Sequence, residues 1–271
     1  MTDWPELCRA AVADVGAVLD RMPTRAEREP VVGAGLGGDD TTAIDQAAEE
    51  VILARVREAA GAVVSEEVGR VGAGLPLLVV DPIDGSLNAK RGIPFFSLSI
   101  AVAAGEAMDD VFYGFVHDFG SGEEWTARRG EGAWLNGEPL GAVRPKDEVE
   151  ILSFEATRTS LVAQEAPKVA ELAYRLRIMG SLALSLCHLA AGRVDAVCSL
   201  KPARSVDIAA AQLLCRELGL AIDLFDVEER FTAAPLDLEQ RSRVVAAGSE
   251  AICGRIAAAL RAGAWDGPSR A

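Results

Sequence analysis

Histidine is nearly absent from this chain of 271 residues: His117 and His188 are the only two. A Ser-His-Asp triad or a histidine-rich zinc site needs imidazole in the right places, so neither is indicated. His188 lies in the apolar run LSLCHLAAG and reads as a core or helix-surface residue. Cysteine is thinly spread too. Cys8, Cys187, Cys198, Cys215 and Cys253 stand apart among apolar neighbours, with no CxxC. That argues against a disulfide framework or a thiolate zinc site and fits reduced, buried thiols of a cytoplasmic protein. Positive charge is also short, with 27 Lys and Arg against 41 Asp and Glu and a net charge of -14. No basic patch advertises a nucleic-acid partner, and the acidity favours cations over polyanions. No apolar run reaches the roughly 18 residues of a membrane span. The start, MTDWPELC, lacks the basic region and apolar stretch of a signal peptide.

Half the residues, 50%, are hydrophobic, enough for one large core or two intimate halves. The pattern changes near residue 145. Before it, apolar residues at helical spacing predict helices over 3–22 and 42–60 around a Pro- and Gly-rich loop at 23–40. AVV (62–64) and LPLLVV (75–80) read as strands, and 94–136 as an antiparallel meander. After it, strands VEILSFE, RLRIM, VDAVCSL, LAIDLF and SRVVAAG alternate with helices. Those are LVAQEAPKVAELAY, GSLALSLCHLAAG, SVDIAAAQLLCRELG and SEAICGRIAAALRAG. The expectation is an α+β half at 1–145 and an α/β half at 146–271, with no linker between them. WDGPSRA reads as a tail.

VVGAGLGG matches G-x-G-x-x-G through Gly33, Gly35 and Gly38. A dinucleotide site needs that pattern on a strand-turn-helix. Only two apolar residues precede it, and Asp39 and Asp40 follow where an anionic pyrophosphate would approach. A loop leading to Asp45 is the better reading, which disfavours a dinucleotide-binding oxidoreductase.

The carboxylates are more telling. Asp81 ends one buried strand, Glu66 and Glu67 end another, and Asp207 opens a helix after the basic turn KPARSVD. Sites in open α/β folds collect at the carboxyl ends of strands. Two unit charges ~4 Å apart repel by about 4 kcal/mol at an effective dielectric near 20, so convergence requires cations. Mg²⁺, hard and oxygen-loving, is the natural counter-ion, and a pair of such ions suits phosphoryl displacement. Glu66, Asp81, Asp84 and Asp207 supply four negatives, which two divalent ions cancel. A phosphate then adds a surplus that a third, weaker ion near Asp45 would offset. In DPIDGS, Pro82 fixes a turn that points Asp81 and Asp84 into one site and frees the Ile83 carbonyl. Gly85 permits close approach, and Gly85 and Ser86 begin a short helix. Each piece alone has a plainer reading: a capped turn for DPIDG, a solvated turn for Glu66–Glu67, an N-cap for Asp207.

Taken together, SEE (65–67), VVDPIDGSLNA with GIPFFSLSIA (79–101), GEGAWLNGEPL (130–140), RIMGSLALSLCHLAAGRVDAV (177–197) and RSVDIAAAQLLCRELG (204–219) resemble the inositol monophosphatase family. These are Mg²⁺-dependent, lithium-sensitive phosphatases. The resemblance spans nearly the whole chain. It implies a layered αβαβα sugar-phosphatase fold, a small phosphate-ester substrate and a homodimer. It implies Glu66, Asp81 and the Ile83 carbonyl at one Mg²⁺, and Asp81, Asp84 and Asp207 at a second. Asp45, in TTAIDQAAEE, matches an acidic residue serving a third metal or water activation. Asp45 and Ser86, or Glu66, would orient the water in direct in-line attack, with no phosphoenzyme. Asp84, Gly85, Ser86 and Ser181 would contact substrate. Ser86 stands where the family usually has Thr, and Val206 where it usually has Trp. The basic turn at Lys201 and Arg204 and the short GLGGDDTT loop are closer to microbial and archaeal enzymes that accept both inositol phosphates and fructose 1,6-bisphosphate. Arg177, Lys201 and Arg204 then become candidates for a second phosphate, or are solvated surface cations. The competitors are a 3′-phosphoadenosine 5′-phosphate or histidinol-phosphate phosphatase of the same superfamily.

Overall fold

The computed structural model describes residues 2–38, 40–142, 148–156 and 158–262. The expected boundary near 145, Asp39 and the tail WDGPSRA lie outside the described residues. Helix α1 (Trp4–Arg21) starts where Asp3 accepts the Glu6 N–H at 3.0 Å, with Pro5 in its first turn. It buries Cys8, Ala11, Val15 and Val18, a stripe at helical spacing. The stretch expected as a loop carries more structure. A one-turn helix, α2 (Arg25–Arg28), precedes an antiparallel hairpin of β1 (Val31–Ala34) and β2 (Asp40–Thr42). β1 is exposed along its whole length, so no apolar alternation marked it as a strand. α3 (Ala43–Val56) follows directly.

Among the described residues the remaining strands form two larger sheets. The first has eight strands in the order β10-β9-β8-β7-β6-β5-β3-β4. They are β3 (Ala62–Ser65), β4 (Gly69–Gly72), β5 (Leu77–Asp84), β6 (Ser97–Ala103), β7 (Val111–Asp118), β8 (Glu124–Arg128), β9 (Gly132–Leu135) and β10 (Glu138–Pro139). β3 and β5 run parallel, and from β5 outward the sheet is the expected antiparallel meander. The second has the order β12-β11-β13-β15-β14. It comprises β11 (Val149–Glu155), β12 (Ala173–Arg177), β13 (Ala196–Ser199), β14 (Ala221–Leu224) and β15 (Val244–Ala247). β11 is parallel to β12 and β13, while β15 runs antiparallel to β13 and β14. The helix expected over 161–174 is shorter. α5 (Thr159–Glu165) gives way to a 3₁₀ turn at Ala166–Val169, where Pro167 has no N–H for a longer α-helical ladder.

The alternation of strand side chains builds the layers. Leu78 and Val80 of β5 face a core shared with α1 and α3. Leu77 and Val79 face the opposite core, filled by α6 (Leu182–Ala190) and α7 (Ser205–Glu217). Val244 and Ala246 of β15 close that core from the second sheet. Val245 and Ala247 turn outward to a third core with α8 (Glu250–Arg261). The result is helix, sheet, helix, sheet, helix. α6, entirely apolar except for Ser185 and His188, is buried on nearly every face because a sheet covers it from both sides. All five cysteines are buried and free. Among the described residues no helix is long and apolar enough to cross a membrane.

Candidate active site

The cleft lies where β3, β5 and β11 end and α7 begins. Its volume is about 340 Å³. Along β5, Asp81 pairs with Ser99 of β6 and Asp84 with Ser97, so three steps on β5 match two on β6. This β-bulge at Pro82–Ile83 corrects the parity. Two residues three apart would face opposite sides of a regular strand, and the extra residue returns both carboxylates to one side. The turn inferred from Pro82 is thus a bulge inside the strand. Asp81 Oδ1 accepts the Ile83 N–H at 3.0 Å, which fixes its rotamer. β5 hands over to a six-residue helix, α4 (Ser86–Arg91), through Gly85 at φ +93°. A Cβ there would sit 3.0 Å from the Gly180 carbonyl oxygen and 3.1 Å from that of Phe95, so both conformation and space call for glycine.

Asp84 is held from the start of α6. Ser181 Oγ and the Ala183 N–H donate to its Oδ2 at 2.5 and 2.8 Å. Ser181, the N-cap, also accepts the Leu184 N–H at 3.2 Å. Behind this, the buried Glu155 at the end of β11 accepts from Ser185 Oγ at 2.6 Å, Ser153 Oγ at 3.0 Å and the Gly180 N–H at 2.9 Å. The turn carrying Glu66 and Glu67 is pinned by Glu49 of α3, which accepts the Glu67 and Val68 N–H groups at 3.2 Å. The hairpin loop docks on that turn, with the Gly37 N–H on the Glu66 carbonyl at 2.8 Å. Thr41 donates its hydroxyl to the Glu67 carboxylate.

Asp207 is not the N-cap of its plainer reading: Arg204 is the N-cap of α7 and Asp207 the third helical residue, as Thr42 and Asp45 are for α3. Asp45 Oδ2 accepts the Thr42 N–H at 3.1 Å, and Asp207 Oδ2 the Arg204 N–H at 2.6 Å, each closing the first turn of its helix. Both also line the cleft. Capping and facing the site are compatible because α3 and α7 begin at its edge.

Among the described residues, eight carboxylates and three cations line the cleft: Asp40, Asp45, Glu66, Glu67, Asp81, Asp84, Glu155 and Asp207 against Lys90, Lys201 and Arg204. Burial, reinforced by the mutual repulsion of Glu66, Asp84 and Asp207, pushes the Asp81 carboxyl well above its ordinary range. Burial likewise pushes Glu66 up to about 7, against the attraction of Arg204. It pushes Asp84 up to about 7, against the bond from Ser181. Arg204 is the countercharge in place. Only 7% exposed, it pairs through Nη1 with Glu66 Oε1 at 2.7 Å and through Nη2 with Asp207 Oδ1 at 2.8 Å. Nη1 also donates to the Gly37 carbonyl at 3.3 Å. Burial acts to lower its pKa, but Asp207 and Glu66 outweigh that and raise it.

Among the described residues no three of His, Cys, Asp or Glu stand close enough together, as placed, to cage an ion. The guanidinium of Arg204 lies between two of the expected ligands. The donor set itself, the buried Asp81 and Asp84 with the half-buried Glu66 and Asp207 crowded beside them, suits a hard divalent cation once Arg204 yields.

Of the residues singled out from sequence, Asp45, Glu66, Asp81, Ile83, Asp84, Gly85, Ser86, Lys201, Arg204 and Asp207 line one cleft. Ser181 sits behind Asp84. Arg177 is exposed at the end of β12, its Nη1 on the Leu176 carbonyl at 2.9 Å, and is not among the lining residues. Sequence reasoning missed Glu155 and Lys90. Lys90 Nζ lies 3.2 Å from Asp45 Oδ2. Its only signal was its position four residues after Ser86, on the same helical face.

A layered αβαβα sandwich with acidic side chains gathered at its strand and helix ends is the architecture of the sugar-phosphatase class. The model of the inositol monophosphatase family matches residues 6–263, and the chain belongs to that family of metal-dependent phosphoric monoester hydrolases. A fructose-1,6-bisphosphatase/inositol-1-monophosphatase of Thermococcus kodakarensis is 33% identical, with 85% of this chain and 86% of that one covered. Inositol monophosphatase 2 of Homo sapiens is 30% identical, with 95% and 91% covered. A solved structure described as an inositol monophosphatase–fructose 1,6-bisphosphatase superposes with a TM-score of 0.83 at 27% identity, covering 96% of this chain and 100% of that one.

Proposed function

We propose that the chain hydrolyses a small sugar- or inositol-phosphate monoester, inositol 1-phosphate or fructose 1,6-bisphosphate, with Mg²⁺ as cofactor. The observation that carries this is the bulge in β5, which turns Asp81 and Asp84 to one side of a cleft also lined by Glu66 and Asp207. Two Mg²⁺ held by Glu66, Asp81, the Ile83 carbonyl, Asp84 and Asp207 would supply Lewis-acid stabilisation of the phosphoryl oxygens and acidify the attacking water. Glu66, Asp45 and Ser86 orient that water for in-line attack. Gly85 and Ser86 receive phosphate oxygens. With Oδ2 occupied by Ser181 and Ala183, Asp84 has Oδ1 left for the ion. Lys201, on the wall with Glu155 and Ser199, is assigned to polar groups of the sugar. Arg204 must leave Glu66 and Asp207 before it can reach a second phosphate, so its first role is internal counter-ion. Arg177 would have to swing in from the rim. The family resemblance also supports a homodimer working in the cytoplasm.

The test is kcat/KM with Mg²⁺ for inositol 1-phosphate, fructose 1,6-bisphosphate, adenosine 3′,5′-bisphosphate and histidinol phosphate, side by side. Activity confined to either of the last two overturns the substrate assignment. Asp84→Asn is expected to abolish hydrolysis while the circular dichroism spectrum stays native. Near-wild-type turnover in that variant removes Asp84 from the chemistry.

A further inference from the structure

Asp45 is 6% exposed. Its Oδ2 receives three contacts: the Thr42 N–H at 3.1 Å, Thr42 Oγ1 at 2.5 Å and Lys90 Nζ at 3.2 Å. The Lys90 side chain is itself only 14% exposed. Its helix is anchored from outside the cleft. Arg28 donates to the carbonyls of Ala89 at 2.7 Å, Met22 at 2.5 Å and Leu19 at 3.1 Å, and Arg91 pairs with Glu29 at 2.6 Å. Ser86 and Lys90, four apart, then share the face that lines the cleft. The ammonium is therefore a fixed charge rather than a solvated tip.

With two divalent ions on Glu66, Asp81, Asp84 and Asp207, the Asp45 carboxylate stands outside both ion sites, and Lys90 is the cation the structure places against it. We propose that Lys90 is a positioning residue whose ammonium takes the place of a third divalent ion beside Asp45, so that the working site holds two ions and not three. This rests on the phosphatase reading given above. A tethered monovalent charge has two consequences. It offsets Asp45 without coordinating water. It also stays in place at any ion concentration, so the number of ions bound saturates at two.

The experiment counts ions, not turnover. The full chain is stripped with EDTA and dialysed against increasing Mn²⁺ in the presence of inorganic phosphate, with free Mn²⁺ read by electron paramagnetic resonance. Wild type is expected to bind two ions per chain, Lys90→Gln three with the added site weaker, and Lys90→Arg two. Three ions on wild type overturn the proposal, as do two on a folded Lys90→Gln. Should Lys90→Gln fail to fold, the wild-type count decides alone, with two sustaining the proposal and three refuting it. No binding of Mn²⁺ by wild type sinks both this proposal and the phosphatase reading, whereas a count of three sinks only this one.

Discussion

Replacing Arg204 by Gln tests the electrostatics of the cleft most directly. The guanidinium forms two ion pairs, at 2.7 and 2.8 Å, with side chains of Glu66 and Asp207 that are 18% and 13% exposed. Removing one partner of a buried pair costs about 3–5 kcal/mol, because the remaining charge is left unpaired. The partial exposure of Glu66 and Asp207 puts this case at the lower end, about 3 kcal/mol. In a chain of this size that corresponds to a melting temperature lower by roughly 6–12 °C. The loss belongs to the ion-free protein, because in the proposed site divalent ions would supply the countercharge once bound. Linkage then converts it into tighter ion binding, and about 3 kcal/mol is roughly a hundredfold in Kd. The assay is thermal unfolding of EDTA-treated wild type and Arg204→Gln with and without Mg²⁺, joined to calorimetric titration of Mg²⁺. The expected pattern is a variant that is weaker without ions, close to wild type with them, and tighter for Mg²⁺. Coincident melting curves in EDTA refute the counter-ion assignment. Unchanged Mg²⁺ affinity with a raised KM for fructose 1,6-bisphosphate alone would instead put Arg204 on the second phosphate.

The pH dependence of the EDTA-treated protein has a defined sign. Burial pushes Glu66 and Asp84 up to about 7, above the ordinary values near 4 that the unfolded chain keeps. The stability tied to their protonation is complete below about pH 4 and is lost as pH rises through about 7. The melting temperature is expected to fall between pH 5 and pH 8 in EDTA, and that fall is expected to shrink in saturating Mg²⁺; a flat EDTA profile contradicts the assigned burial. Gly114→Ala probes the sheet beneath α7: the new Cβ would lie 2.5 Å from the Ala210 carbonyl oxygen. Backbone cannot yield as a side-chain tip does, so a loss of about 1–3 kcal/mol is expected in urea unfolding, and an unchanged midpoint would show that α7 rides freely on β7.

The two kinds of information in this chain come from different physical ranges. Runs and periods are local, and they were legible. LLVV predicts a strand buried on both faces, and β5 is one. SVDIAAAQLLCRELG predicts a helix closed by Gly219, which stands at φ +75° just past α7. Glu66, Asp81, Asp84 and Asp207 could be named because each sits at the end of such an element. What was not legible depends on partners distant in sequence. Lys90 meets Asp45 only because α4 folds back against the start of α3. Glu155 looks like one more strand-end acid until Ser153, Ser185 and Gly180 close around it. β1 and β4 escaped for a different reason. They are short, glycine-containing and largely exposed, so neither has the apolar alternation that reveals a strand. Arg204 is the instructive case. From sequence it was a cation in a basic turn, equally fit for substrate or solvent. Its position three residues before Asp207 lets one side chain pair with Asp207 and continue to Glu66. If the cleft holds cations as proposed, its carboxylate cluster has to survive synthesis and folding before any ion arrives. A guanidinium that is always protonated and can bridge two carboxylates provides for that interval, and the same strength of pairing sets how firmly the site resists its first ion.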